Sequence, residues 1–280
     1  MTMMKIGVIG TGNLASAVIG GSVKSGRVSG DSFLVYNLFA DKVRETCEKF
    51  GTSAAGSAQQ IAETCDVVIL AVKPKDFAAL LSSLAPSLQA HDPLVLSVAA
   101  GLSLGYLASC LPYEAKLARL MTNINASVGG AMTAYCFGAR VTDAEKAFVA
   151  QFCGTFGDAT ELSEDLFAQF GVLAGCVPAF AYKFVDEIAR AGVAIGVRKD
   201  LALRIAAQTV LGSAQRAACG DAHPYELIDR VCTPGGTTID GMLQLDACGF
   251  PDAVHKAVIS SYEKDRRLAK AKDEESKNNK

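Results

Sequence analysis

Lys5-Ile6-Gly7-Val8-Ile9-Gly10-Thr11-Gly12-Asn13-Leu14-Ala15 is the stretch that decides the fold. Lys5 to Ile9 is an apolar run too short for a helix, so it reads as a strand. It meets a Gly-x-Gly-x-x-Ala turn that opens a helical stretch from Asn13 to Ser25. In that context Gly10 permits a tight turn, Gly12 lets the backbone approach a pyrophosphate, and Ala15 keeps the helix close to the sheet. The free N–H groups of the helix start add positive potential, which makes the turn a dinucleotide cradle.

The same alternation continues outward. Phe33 to Asn37 reads as a strand, and Asp41 to Phe50 as a helix with Asp41 as its cap. Asp66 to Val72 carries six apolar residues after an acid, the pattern of a strand buried on both faces, and Leu94 to Val98 repeats it. Strands and helices in the order βαβαβ predict an α/β fold: a Rossmann-like, doubly wound parallel sheet with right-handed crossovers. Ligands of such sheets lie at the carboxyl edge of the strands. There Pro74 directs the loop Ala71-Val72-Lys73-Pro74 so that Lys73 points at solvent or phosphate, and Ala99-Ala100-Gly101 makes a second, small-residue loop. Tyr36-Asn37-Leu38-Phe39 lacks the acid that bonds a ribose 2′-hydroxyl. With Asn37 as a donor and Lys42 and Arg44 nearby, the site favours NADPH, with NADH as the alternative donor.

After Glu161 the strand signal ends. Gly175 to Ile195, Lys199 to Ala218 and Pro251 to Ala271 read as long helices, the first two apolar around most of their circumference. A domain of about 120 residues cannot hide so many apolar helix faces, so they are expected to pack against a second subunit rather than only on each other. The expected division is residues 1-158, a dinucleotide-binding Rossmann-like domain, and 159-280, an all-helical dimerisation and substrate domain. Its end, Ala269 to Lys280, is dominated by Lys, Glu, Asp and Asn and reads as a solvated, fraying terminus. Within this domain Cys232-Thr233-Pro234-Gly235-Gly236-Thr237-Thr238 sets a Pro-Gly-Gly turn against a helix start. Its successive N–H groups can converge on an anion, a natural cradle for a carboxylate.

Composition narrows the chemistry. The 280 residues allow one large domain or two ordinary ones, and 27 Lys plus Arg against 29 Asp plus Glu leave a net charge of -2. No bulk field then favours nucleic acid or anionic lipid, and a small-molecule substrate is expected. The closest of the nine cysteines, Cys219 and Cys232, are 13 positions apart, which excludes CxxC zinc spacing; with three histidines, no metal is expected. The odd cysteine count, and an N-terminal strand with no cleavable apolar segment before it, point to a reduced cytoplasm. No apolar run approaches the ~18 to 20 residues of a membrane span, so no membrane partner is expected.

From Met4 to about Lys270 the chain resembles the pyrroline-5-carboxylate reductase family. The resemblance rests on IGVIGTGNLASAVIGG from Ile6, AVKP from Ala71, VAAGLSL from Val98, MTN from Met121, the GxxPA turn from Gly175, and HPYELIDRVCTPGGTTIDGMLQLDACGF from His223 to Phe250. It implies reduction of 1-pyrroline-5-carboxylate to L-proline, the last step of proline biosynthesis, with NADPH or NADH as hydride donor. It also implies a helical domain that interlocks two subunits, often in a decamer of five dimers. The nucleotide is implied at Ile9, Gly10, Thr11, Gly12, Asn13, Leu14, Asn37, Ser57, Ala71, Val72, Lys73, Pro74, Ala99 and Ala100. The imine acid is implied at the dimer interface, near Glu164 and Val231, its carboxylate on the backbone of Gly235, Gly236 and Thr237. Thr238 is the implied catalytic residue, its hydroxyl directed at the ring nitrogen.

The chain also departs from the family's common pattern. Met121-Thr122-Asn123-Ile124-Asn125 stands for MPNTP, and Gly175-Cys176-Val177-Pro178-Ala179-Phe180 for GSGPAY. Cys176, Val177, Phe180, Ile124 and Asn125 change size and hydrogen bonding beside the implied nicotinamide and substrate. Two alternatives follow: a reductase of a related cyclic imine acid, and a catalytically weak nucleotide-binding regulatory homologue. A β-hydroxyacid dehydrogenase would need a catalytic lysine such as Lys183 and would leave the Pro-Gly-Gly cradle unexplained.

Overall fold

A computed structural model describes residues 4–278. The chain forms two compact units, one running to Gly175 and taking in the chain from Asp265 onward, the other Cys176–Lys264. The expected division at 158/159 falls inside a strand. Gly157–Glu161 pairs in parallel with Ala131–Phe137 and extends the sheet, so the first unit continues past it. The polar residues Asp158, Thr160 and Glu161 are held in this strand by the backbone ladder rather than by apolar pattern.

The first unit is built on β1 (Ile6–Ile9), α1 (Asn13–Lys24), β2 (Phe33–Tyr36), α2 (Ala40–Phe50), β3 (Ser53–Ala54), α3 (Ala58–Thr64), β4 (Val67–Leu70), α4 (Phe77–His91), β5 (Leu94–Ser97), α5 (Leu104–Ser109), β6 (Leu117–Met121), β7 (Ala131–Phe137), α6 (Asp143–Cys153), β8 (Gly157–Glu161) and the short α7 (Phe167–Phe170). The sheet order is β3-β2-β1-β4-β5-β6-β7-β8. Every pair is parallel except β6 and β7. The order reverses between β1 and β4, the crevice where doubly wound sheets bind ligands. All four residues of β1, β4 and β5 are buried, as uninterrupted apolar runs require in a sheet covered on both faces. One covering cluster sets Val8, Ile69 and Leu96 against Ile19, Phe152 and Phe156; the other sets Ile9, Val68 and Leu70 against Phe77, Leu81 and Leu88.

Asp41 is not the cap of α2. The cap position is Phe39, without a side-chain bond, and Asp41 lies in the first turn, where its charge suits the helix dipole.

The second unit contains α8 (Val177–Ala194), α9 (Lys199–Ala218), α10 (Pro224–Val231), α11 (Thr237–Ala247) and the start of α12 (Phe250–Asn278). It has no strand, as the sequence leads one to expect. α12 continues beyond Ala269, the expected start of the frayed end, to Asn278; residues 279–280 lie outside the described residues. Helices α8 and α9 meet through small residues, Ala189, Ala202 and Ala206, which lets the backbones approach closely. Few apolar side chains are hidden within this unit. Tyr182, Leu203, Ile205, Leu243 and Ile259 are all more than two-fifths exposed.

Candidate active site

The residues expected to hold a nucleotide in the first unit all sit at the carboxyl edge of β1 to β5. Gly10 has φ +101°, and a Cβ there would lie 2.6 Å from the carbonyl oxygen of Ala71, so only glycine allows β1 and β4 to end side by side. Gly12, the N-cap of α1, has an ordinary φ of -76°, no side-chain cap, and open space where a Cβ would stand. No packing within the chain requires a glycine there. What it keeps open is the approach to the first N–H groups of α1, which suits a pyrophosphate.

The other members of this group fill different places. Asn37 Nδ2 donates to Thr11 Oγ1 at 3.0 Å, and its Oδ1 accepts from Phe39 N at 3.1 Å, so Asn37 ties the end of β2 to the glycine turn. One of its two amide N–H donors is therefore committed within the chain. Ser57 caps α3, accepting from Gln60 N at 3.1 Å. Ile9 is a core residue whose carbonyl accepts from Ala71 N, so its side chain supports the turn from below. Asn13 and Lys73 are exposed; Ala71, Val72 and Pro74 are half-buried beside Lys73. Ala99 is buried and Ala100 exposed in the loop after β5. Lys42 and Arg44 are not free cations: they pair with Glu45 and Asp41 on the exposed face of α2. Such pairs are worth little and can be exchanged for a ligand phosphate.

Glu164 also lies in the first unit, at the start of a 3-10 turn, Glu164–Leu166. Its Oε1 accepts from Arg119 Nη1 at 2.8 Å and from Leu104 N at 2.7 Å. Arg119 is a buried charge in β6, with its guanidinium carbon 4.6 Å from the centre of the Phe167 ring. Glu164 lines an open cleft of about 550 Å³ together with Leu104, Cys136 and Ser163. Burial, with the charge of Glu164 beside it, pushes the Cys136 thiol up to about 12 against the opposing pull of Arg119, so no thiolate is on offer there. The segment then passes through a π-helical stretch, Gly171–Cys176, whose Ala174 carbonyl receives the buried Asn123 Nδ2 at 3.0 Å.

In the second unit, Val231 ends α10 and the Pro-Gly-Gly turn leads into α11. Gly235 has φ +69°, so the turn itself needs a glycine there, and a Cβ on Gly236 would crowd the side chain of Thr233 and lie 3.1 Å from its carbonyl oxygen. The Gly236 N–H is committed to the Thr233 carbonyl at 3.0 Å. That removes Gly236 from the expected anion donors. The first-turn N–H groups of Thr237 and Thr238 have no carbonyl within α11 and no side-chain cap from Gly236, and both residues are exposed. The cradle is therefore the helix start rather than the whole turn.

Residues 5–101 match the family model described as NADP oxidoreductase, coenzyme F420-dependent, and residues 164–268 match the one for pyrroline-5-carboxylate reductase dimerisation. The pyrroline-5-carboxylate reductase of Escherichia coli (strain K12) is 38% identical over 267 residues, covering 95% of this chain and 99% of that one. This chain belongs to the pyrroline-5-carboxylate reductase family. The soybean (Glycine max) reductase is 34% identical across 94% of this chain and 96% of its own. Among solved structures, the Streptococcus pyogenes 1-pyrroline-5-carboxylate reductase superposes with a TM-score of 0.81 at 34% identity, covering 94% of this chain and 98% of that one. The Plasmodium falciparum reductase, solved with NADP bound, superposes with a TM-score of 0.84 at 27% identity, covering 95% and 98%.

The match to the dimerisation model begins on an apolar stretch that the count of apolar runs in the sequence missed. The continuous helical stretch Glu164–Ala194 contains a window of mean hydropathy 1.3, of which only 22% is buried. Arg119 and its bond to Glu164 also escaped the reading of the sequence. The signal was a single charge inside the apolar run Leu117-Ala118-Arg119-Leu120-Met121, which a buried strand tolerates only when that charge is paired.

Proposed function

We propose that the chain reduces 1-pyrroline-5-carboxylate to L-proline with NADPH, the last step of proline biosynthesis, and that its functional form is a homo-oligomer built on a dimer. The observation that carries this reading is the pairing, in a member of this family, of two separate anion receptors: the open start of α1 beside Gly12 and the uncapped start of α11 at Thr237 and Thr238. One suits a pyrophosphate and the other a carboxylate. NADPH held at the first supplies the hydride.

The chain's own part is positioning. An iminium carbon is already activated by its charge, so no strong acid is required, and the cradle fixes the carboxylate while the Thr238 hydroxyl donates to the lone pair that develops on the ring nitrogen as the hydride arrives. The turn at Gly10 and the tie between Asn37 and Thr11 hold the nucleotide edge in shape. A cytoplasmic site of action, a decamer of five dimers and the absence of a membrane partner complete the proposal.

The test is NADPH and NADH oxidation with pyrroline-5-carboxylate, compared with its six-membered homologue. Turnover of the five-membered ring, faster with NADPH, is expected. Preference for the larger ring would favour a related cyclic imine acid and place the cause at Cys176, Val177 and Phe180; NADPH binding without turnover of either would favour a regulatory homologue. Thr238→Ala is expected to lower kcat ~10 to 1000-fold. Unchanged kinetics in that variant would remove Thr238 from the mechanism.

A further inference from the structure

The second oxygen of Glu164 is the feature that this reading leaves unused. Both bonds to the carboxylate, from Arg119 and from the Leu104 N–H, fall on Oε1. Oε2 has no hydrogen bond among the described residues, and the side chain is about one-third exposed at the edge of the cleft it lines. Arg119 is itself held, 8% exposed at its side chain and stacked over Phe167, so its planar guanidinium cannot swing away.

We infer that Arg119 is a positioning residue for the imine acid: it locks Glu164 by one oxygen so that the other is presented, as a fixed acceptor, to the N–H of the protonated imine. This rests on the proposed function above. The pairing has a chemical reason. A carboxylate with one oxygen anchored by two donors loses little further freedom on accepting a ligand N–H, whereas an unanchored glutamate would have to be ordered by the substrate. Met121, the last residue of β6, and Asn123, two residues beyond it, strengthen the lock. Met121 Cε would lie 2.9 Å from a Cβ on Gly171, and Asn123 holds the Ala174 carbonyl, so Arg119, Met121 and Asn123, at a spacing of two, grip the segment from Glu164 to Ala174 at successive points.

The experiment is a double-mutant cycle on the full chain, with steady-state kinetics for 1-pyrroline-5-carboxylate and NADPH separately. Arg119→Met is expected to raise KM for the imine acid ~10-fold while KM for NADPH stays within about twofold. Arg119→Lys, which keeps a cation and a donor, should recover part of the loss. Combining Arg119→Met with Glu164→Gln should cost no more than the worse single change, because both remove the same contact. Leu104→Pro covers the case in which Arg119→Met does not fold. Leu104 is the first residue of α5 behind the cap Ser103, where proline is tolerated, so the substitution deletes the second donor to Oε1 without breaking the helix. It should also raise KM for the imine acid, relative to Leu104→Ala. Additive losses in the cycle, an equal rise in both KM values, or a Leu104→Pro chain indistinguishable from Leu104→Ala would overturn the inference. A wild-type chain with no turnover would overturn the proposed function and this inference together; wild-type turnover with additive variants would overturn only this one.

Discussion

Gly10 and Gly12 stand two positions apart in one turn and are glycines for opposite reasons. The first is demanded from within, by a positive φ and the Ala71 carbonyl; the second by nothing in the chain. Substitutions should therefore separate stability from binding. Gly10→Ala should lower stability by about 1–2 kcal/mol or more through the left-handed backbone alone, in a urea titration. Gly12→Thr places an acceptable cap at the head of α1, so the thermal midpoint should hold while KM for NADPH rises ~10-fold. A fall in midpoint with unchanged KM would mean that Gly12 serves packing instead. The two roles were legible in the sequence because a Gly-x-Gly-x-x-Ala turn after a strand has one established geometry. The commitments of Asn37 to Thr11 and of the Gly236 N–H to Thr233 were not legible. Each depends on where a partner tens of residues away, or a turn of unspecified type, comes to rest.

Among elements, β1, β2, β4 and β5 could be read in advance because strands buried on both faces are continuous apolar runs. Strands β7 and β8 could not. β8 is Gly157-Asp158-Ala159-Thr160-Glu161, half polar, and it exists because β7 offers it a ladder rather than because its residues favour one. An ion network ties this part of the sheet together at the end away from the nucleotide edge. Asp92, in the turn before β5, accepts from Arg140 at 3.0 and 3.1 Å and pairs with Lys116 at 3.3 Å; Lys116, just before β6, pairs with Glu145 of α6 at 3.0 Å. Burial alone would raise the carboxyls of Asp92 and Glu145. Bonds from Arg140 and Lys116 to Asp92, and from Thr142 and Lys116 to Glu145, more than reverse it, so both titrate below their ordinary values. The hydrogen bond to Glu145 raises Lys116 despite its burial, with Asp92 adding to it. The carboxylates thus contribute stability above about pH 4 that is lost as the pH falls through their lower folded values, and Lys116 contributes stability lost only as the pH rises past its raised one. Lys116→Met should cost about 1–3 kcal/mol at neutral pH and flatten the acid limb of the stability curve. Urea midpoints between pH 3 and 7 measure both; an acid limb as steep as that of the wild type would mean that the network does not govern it.

For the whole molecule, the apolar helices of Cys176–Lys264 define a surface that one copy cannot hide. This much was legible in composition: two long helices apolar on most sides cannot both be surface helices of a monomer. Ile205, on α9, is 51% exposed in the single chain. In an isolated chain Ile205→Asp would be nearly neutral; in the proposed dimer it should shift sedimentation toward the monomer and lower the thermal midpoint in a concentration-dependent way. A variant with wild-type sedimentation would place the subunit contact elsewhere on this unit. The boundary between the units was the least legible feature: the strand signal ends after Glu161, where the last strand ends, but the first unit runs on to Gly175 through helical turns that no hydrophobic pattern sets apart from the helices that follow.

Arg119 carries a consequence beyond the carboxylate it holds. On β6 its neighbours Ala118 and Leu120 face the opposite side of the sheet, in the cluster with Phe152 and Phe156. A strand that slipped by one residue during folding would exchange the two faces and thrust a guanidinium into that aromatic core. Only an alignment that keeps Arg119 on its own face lets the cation meet a carboxylate, so the same arginine acts as a proofreading mark against one-residue slips of the strand. Insertions or deletions in the run from Leu117 to Asn123 should be tolerated only in pairs.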